Sequence, residues 1–301
     1  MEQLPRNLEL ESILEQCSKS LEKFCRVFLP GRFDRDFSRS HYQFFEVADD
    51  LSAQQVIVTA HRGWGKTSLV TYAMPAKEVA FSDGTKPNFV VPVSATSTSA
   101  ILQGENLKEG LISNEMIFAL LGEMKSKDFS KEIWITNNNV AVMPRGQGQQ
   151  IRGLLYGDTR PRLITPDDLE TRELVASKER RDELKKWFFT DVCNSIDRSK
   201  MDWRIWVIGT IMHQDSLLKD LTEDSKWLHL DFPLCDENYK SYWTLFMPDE
   251  KCKELAEDYR RRGIIREFYL EYLNKVTVGE SNIFQPEHFR YYVEDAICLP
   301  K

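Results

Sequence analysis

The sequence predicts an α/β fold: a mainly parallel β-sheet flanked by helices, with a small, mostly helical subdomain appended. Three observations carry this expectation. Apolar, β-branched runs of strand length alternate with helix-length amphipathic segments as far as about residue 232. A run of that kind, Val56-Ile57-Val58-Thr59, passes through a tight glycine turn into a helix start at Ser68. Beyond Asp231-Phe232-Pro233 the alternation stops, and helices rich in aromatics follow. The expected division is residues 1–232 for the core with an N-terminal helical segment, and residues 233–301 for a lid or linker subdomain.

At 301 residues, 42% hydrophobic and 29% charged, the chain can bury a sizeable core and has the composition of a globular protein. No apolar run approaches the roughly 18 residues that span a bilayer, so no membrane partner is expected. The Met1–Arg6 start is not followed by a signal-peptide core. Six cysteines lie scattered without a Cys-x-x-Cys pair, which argues against a zinc site or a disulfide scaffold and fits a reducing cytoplasm. A net charge of −7 argues against passive coating of nucleic acid; any contact with DNA would run through local basic loops.

The elements follow in order. Leu10, Ile13, Leu14, Cys17, Leu21, Phe24, Cys25 and Phe28 recur at helical spacing, which predicts a helix from Leu8 to Phe28, stopped by Pro30-Gly31. The aromatic stretch Phe37–Phe45 reads as a packed helix, or as an adenine platform with Gln43 or His41 at the base edge. Asn88–Thr96 reads as a strand, a helix begins near Ser97, and Ile133–Ile135 and Val140–Met143 read as strands. Pro144–Gly153 is too polar for core and predicts an exposed loop. Arg162-Leu163-Ile164 predicts a strand that delivers Asp167 and Asp168 to a sheet end. Pro166 lacks an N–H, so that strand should stop there or lie where the donor is not needed. Ser177–Phe189 predicts a charged helix with Lys178, Arg180, Arg181, Lys185 and Lys186 exposed, and Trp203–Thr210 a buried strand ending in Gly209-Thr210. Glu250–Arg262 and Ile264–Asn274 predict the appended helices. In such a sheet ligands gather at the carboxyl ends of the strands.

The glycine turn reads as a P-loop; the alternative is an ordinary strand–turn–helix. Ala60-His61-Arg62-Gly63-Trp64-Gly65-Lys66-Thr67 follows G-x-x-x-x-G-K-[ST], with Ala60 in place of the first glycine. Amides from His61 through Ser68 would face phosphates, Lys66 would reach the β/γ-phosphates, and the Thr67 hydroxyl would ligate Mg²⁺. Hydrolysis further needs an acid on the metal and a group that orients water. Asp167 is expected beside the metal, Asp168 at the water, and Glu170 as its substitute; the alternative is that Asp-Asp caps the next helix. Arg62, a cation in the phosphate loop, is expected to be buried beside an anion and to stabilise γ-phosphoryl charge in cis, or else to form a surface salt bridge. Arg152 in the glycine-rich loop could reach a neighbouring subunit's nucleotide in trans.

Taken in order, the variant P-loop, Gln150-Ile151-Arg152-Gly153, Arg160–Ile164 running into Asp167-Asp168-Leu169-Glu170, and Ile208-Gly209-Thr210 resemble the large terminase subunits of tailed bacteriophages. The stretches Tyr242–Pro248 and Phe268–Asn274 resemble that family's segment between motor and nuclease. The resemblance implies an ASCE, RecA-like P-loop ATPase core that uses ATP and Mg²⁺ to drive double-stranded DNA into a procapsid in the cytoplasm of the infected bacterial host. It implies a portal protein and a small terminase subunit as partners, and a homo-oligomeric ring, a pentamer, on the procapsid, with a monomer in isolation. Arg62 would be the P-loop arginine, Arg152 the finger in trans, and Thr210 part of the motif that couples hydrolysis to movement. Asp168 departs from the usual glutamate, Pro166 interrupts the strand, and Ile211 stands where proline is frequent. Family members continue into a nuclease domain, and this sequence ends at Pro300-Lys301 about where that domain should begin, so no DNA cleavage is expected of it. Two other readings compete: a helicase-like nucleic-acid-remodelling ATPase, and a nucleotide-gated docking module favoured by the shorter acid at 168.

Overall fold

The computed structural model describes residues 8–276, and for residues 127–129 the backbone alone; the Met1–Arg6 start, Cys298 and the Pro300-Lys301 end lie outside it. Strands β1 (Gln55–Ala60), β2 (Asn88–Ser94), β3 (Lys125–Phe129), β4 (Trp134–Thr136), β5 (Val140–Val142), β6 (Arg145–Gly146), β7 (Leu163–Asp167), β8 (Arg204–Gly209) and β9 (Leu228–Phe232) form one nine-stranded sheet. Its order is β3-β4-β5-β2-β7-β8-β1-β9, with β6 beside the end of β2. Every pairing from β5 to β9 along that path is parallel; the β3–β4 and β4–β5 pairings, at the edge, are antiparallel. This is the P-loop NTPase architecture, with β8 standing between the P-loop strand β1 and the acid strand β7.

Both sheet faces are covered, which is why the central strands read as continuous apolar runs. Val56 and Val58 of β1 and Trp206 and Ile208 of β8 pack into one cluster; Ile57, Ile205 and Val207, one residue out of phase, pack into another. The first face carries α1 (Leu8–Lys19), α2 (Leu21–Phe28), α3 (Arg39–Asp49), α4 (Met74–Ala80), α5 (Ser97–Ile112) and α6 (Glu115–Leu121). The second carries α7 (Arg172–Ala176), α8 (Lys178–Trp187) and α9 (Leu217–Glu223). The appended α10 (Asp249–Arg261) and α11 (Ile265–Leu273) have their own cluster around Leu234, Cys252, Ala256 and Phe268. The five described cysteines are free and buried, and no helix among the described residues is long and apolar enough to cross a membrane.

Several expectations need correction. The helix expected over Leu8–Phe28 is two, because Ser20 takes extended backbone and its hydroxyl accepts the Lys23 amide as an N-cap. β7 does not stop at Pro166. Its ladder to β2 runs through Pro166 opposite Val93, while the ladder to β8 skips Thr165 and Pro166 and resumes at Asp167 opposite Ile208. The missing donor therefore interrupts one side only, and the strand still carries Asp167 to the sheet end. On α8, Arg181 is buried and Lys185 half-buried, since Asp215 takes hydrogen bonds from both and Asp220 pairs with Lys185. Arg145-Gly146, expected as loop, forms β6.

Candidate active site

β1 delivers the chain to the phosphate loop at Ala60. Ala60 still belongs to the strand, so the missing first glycine costs no conformational freedom there. The glycines that matter are Gly63 and Gly65, with φ of 89° and 98°, left-handed backbone that side chains disfavour. At Gly63 a Cβ would also lie 2.5 Å from the Phe246 ring. The His61 amide donates to the Phe232 carbonyl at 2.9 Å and the Arg62 amide to the Glu271 carbonyl at 2.8 Å, which ties the loop to β9 and α11. After the loop, Thr67 opens a π-helical turn, Thr67–Ala73, that continues into α4. The leading amides of a helix have no intrahelical acceptor, and such amides bind phosphate.

Trp64 locks the loop in place. Its ring is stacked between His41 (4.5 Å, 2°) and Phe232 (4.9 Å, 16°), and its Nε1 donates to Ser40 Oγ at 2.8 Å. The Ser38 amide donates to His41 Nδ1 at 3.0 Å, so Nε2 carries the proton and donates to the Trp64 carbonyl at 2.9 Å. His41 lines the cavity beside the loop with both ring nitrogens already hydrogen-bonded within the protein, and Gln43 is exposed on α3 and does not line that cavity. A cavity of about 230 Å³ does open beside the loop, walled by Phe33, Arg35, Phe37, Trp64, Ser68 and Trp243. Phe33 and Arg35 carry no signal in the sequence, since nothing in their spacing links them to the P-loop, while Trp243 belongs to the Tyr242–Pro248 stretch.

Burial holds both loop histidines neutral, lowering His41 and His61 to about 4. Their folded values lie below the ordinary 6.5, so protonation favours the unfolded chain. The stability they contribute is complete above about pH 6.5 and is lost as pH falls toward 4. Asp167, raised by burial to about 7, acts with the opposite sign between about pH 7 and 4. The wild-type curve mixes the two, so the readout is the difference in unfolding free energy between wild type and His41→Gln. That gap is expected to shrink by about 2 kcal/mol between pH 7 and pH 4.5 in chemical denaturation; a constant gap would mean that His41 is not held neutral by its burial.

The acids lie across the cleft from the loop. Asp167, the last residue of β7, is buried; its Oδ2 accepts from Gln103 Nε2 at 2.9 Å and from Thr71 Oγ1 at 3.3 Å, and its Oδ1 is buried without a partner. Burial and the neighbouring Asp168 push its carboxyl up, while Thr67, Thr71 and Lys66 pull it down. Asp168 has φ of 45°, and its amide donates to the Ile208 carbonyl at 3.1 Å. Its side chain is reachable by solvent yet crowded by protein, and that desolvation raises its carboxyl against the pull of Lys66. Lys66 itself is lowered by burial, opposed by Asp168, Asp167 and Glu271, and its Nζ donates to the Ala60 carbonyl. One cation and two strand-end carboxylates therefore share a single cleft.

The remaining candidates are placed as follows. Glu170 is buried and accepts the Leu218 amide on Oε1 at 3.2 Å at the start of α9, so it caps a helix, while its Oε2 is buried without a partner. Arg62 has an exposed side chain, contrary to the buried cation expected. Arg152 is exposed in the turn after β6, and Thr210 is half-buried directly after β8. The appended subdomain closes on the loop: Phe246 lies 5.4 Å from His61, Trp243 lies 4.6 Å from His41, and Glu267 of α11 takes both guanidinium nitrogens of Arg172.

For a metal, the donor set fits a hard cation: a hydroxyl at Thr67 and a carboxylate at Asp167 with one unsatisfied buried oxygen. No cluster of three or more His, Cys, Asp or Glu able to hold a metal occurs among the described residues, so such an ion would depend on a nucleotide's phosphates. A larger cavity of about 510 Å³ lies at the amino ends of β2, β7 and β8, but Lys77, Arg162 and Arg204 there are matched by Asp49, Asp202 and Glu78.

No protein-family model matches the chain, and no curated protein matches it. Among solved structures, the large terminase ATPase domain of Thermus phage P74-26 is similar in two crystal structures, one of a mutant, with TM-scores of 0.54 and 0.53 and 9% identity. The likeness covers 85% of this chain and 98% of that domain. The large terminase of a thermophilic bacteriophage in complex with ADP aligns with a TM-score of 0.47 at 13% identity over 84% of this chain. Only 57% of that longer protein is covered. At these identities the likeness is one of fold.

Proposed function

We propose that the chain is the ATP-hydrolysing motor portion of a viral terminase, which drives double-stranded DNA into a procapsid. The observation that carries this reading is the shared cleft: Lys66 on the P-loop faces Asp167 and Asp168 at the tip of β7, in the fold found in terminase ATPase domains. ATP would set its phosphates against the loop amides and Lys66, and its nucleoside in the aromatic cavity beside Trp64. Thr67 and Asp167 would hold Mg²⁺, which neutralises phosphate charge when bound. Asp168 orients the attacking water and takes its proton. Thr210 would transmit the change at the acids to neighbouring elements; it follows Gly209, where a Cβ would lie 3.7 Å from Asp168 Oδ1.

The partners proposed with this reading are double-stranded DNA, a portal protein, a small terminase subunit and further copies of the chain in a ring, all in the host cytoplasm. Exposure of Arg152 supports its acting on a neighbour's nucleotide, and exposure of Arg62 leaves its guanidinium free to turn toward the γ-phosphate. The test is ATP turnover measured alone, with blunt duplex DNA and with a forked duplex. Turnover that rises severalfold with duplex and leaves the fork wound is the expected result. Unwinding of the fork would favour a helicase-like enzyme, and nucleotide binding without turnover a docking module.

A further inference from the structure

Asp167 is held by two neutral donors that both choose the same oxygen. Gln103 Nε2 and Thr71 Oγ1 donate to Oδ2, at 2.9 and 3.3 Å, while Oδ1 stays buried without a partner. The amide oxygen of Gln103 is likewise buried and unpartnered. Two orphaned acceptor oxygens on hydrogen-bonded side chains are costly, and such atoms in a folded protein call for a donor or cation that completes them. The helix that carries Gln103 has little freedom to relieve them. A Cβ at Gly104 would lie 2.4 Å from Pro144 Cγ, one at Gly146 would lie 2.3 Å from the Ser97 amide, and Thr96 caps the helix through the Ser99 amide. Helix α5 is therefore pinned against the Pro144–Gly146 segment, and Gln103 with it.

We propose that Gln103 is a positioning residue for the metal acid. Its Nε2 fixes the carboxylate plane of Asp167 so that Oδ1 is presented to the divalent cation that arrives with the nucleotide, and its Oε1 accepts from a water in that cation's shell. Partners one layer behind a ligand set its orientation, and losing one typically weakens metal affinity by about 10- to 100-fold. The proposal rests on the reading of Asp167 as the metal acid.

The experiment measures Mn²⁺ binding by electron paramagnetic resonance, with a non-hydrolysable ATP analogue present, for wild type, Gln103→Met, Gln103→Ala and Asp167→Ala. Methionine keeps the volume and removes both polar atoms; alanine, a strong helix former, covers the case in which methionine disturbs the fold. Both Gln103 variants are expected to bind Mn²⁺ about tenfold or more weakly, while binding of a fluorescent ATP analogue in chelator stays as in wild type. A purely packing role would move the melting temperature and leave Mn²⁺ affinity unchanged, and that result overturns the proposal. If Asp167→Ala loses Mn²⁺ and the Gln103 variants do not, Gln103 alone is misassigned. If Asp167→Ala keeps it too, the metal-acid reading itself fails.

Discussion

Lys66→Ala is expected to lower ATP turnover by about 10²- to 10³-fold while leaving the protein folded. Lys66 is the cation in the cleft nearest to where phosphate charge must develop, and Asp167, Asp168 and Glu271 all bear on it. Those carboxylates keep it charged against the desolvation that burial imposes. Among the described residues its ammonium donates to the Ala60 carbonyl, an exchangeable contact that a phosphate oxygen can replace. Removing it therefore deletes transition-state stabilisation, with no well-packed apolar group lost from the core. Steady-state kinetics and a thermal melt read the two parts separately. A melt within a few degrees of wild type with turnover reduced less than about tenfold would sink the assignment of this loop.

What the sequence reveals and what it hides divide along physical lines. β1, β2, β7 and β8 are buried on both faces, so their apolar runs are unmistakable, and the P-loop and Asp167-Asp168 could be set at the same sheet end. β9 was not anticipated because it is an edge strand whose Leu228, His229 and Asp231 are open to solvent or half-buried, which erases the apolar signature. Pro166 misled in one respect: a proline can sit in a central strand when only one of the two ladders gives up a rung. Within the site, a motif names residues on one segment but not those that arrive from elsewhere. Gln103, Phe246 and Glu271 reach the cleft through α5 packing and the closing of α10 and α11, contacts between positions far apart in sequence. Glu170 shows the converse limit. Three acids within four positions look interchangeable in sequence, yet the strand end sends them to different places.

That separation makes Asp168→Asn and Glu170→Gln a matched pair with opposite outcomes. Asp168 takes left-handed backbone, φ of 45°, a conformation that asparagine tolerates at least as well as aspartate, so the variant keeps its local geometry. It also removes a carboxylate that burial already disfavours beside Asp167, so stability should hold or rise slightly. On the proposed reading it loses the group that accepts a proton from water, and turnover should fall by about 10²- to 10⁴-fold. Glu170→Gln acts on the other side of the loop. Its carboxylate caps the start of α9, where burial pushes the carboxyl up and the hydrogen bonds from the Leu218 amide, Ser216 and Leu217 oppose that shift. A neutral amide there should cost about 1 kcal/mol of stability, with turnover kept within about threefold provided the melt stays above the assay temperature. Turnover lost in Glu170→Gln and kept in Asp168→Asn would exchange the two roles. The surroundings favour the first assignment, because Lys66 acts on Asp168, whereas the charge that acts on Glu170 is Lys185 of α8. An acid that answers to the P-loop lysine is the one whose protonation can follow the γ-phosphate.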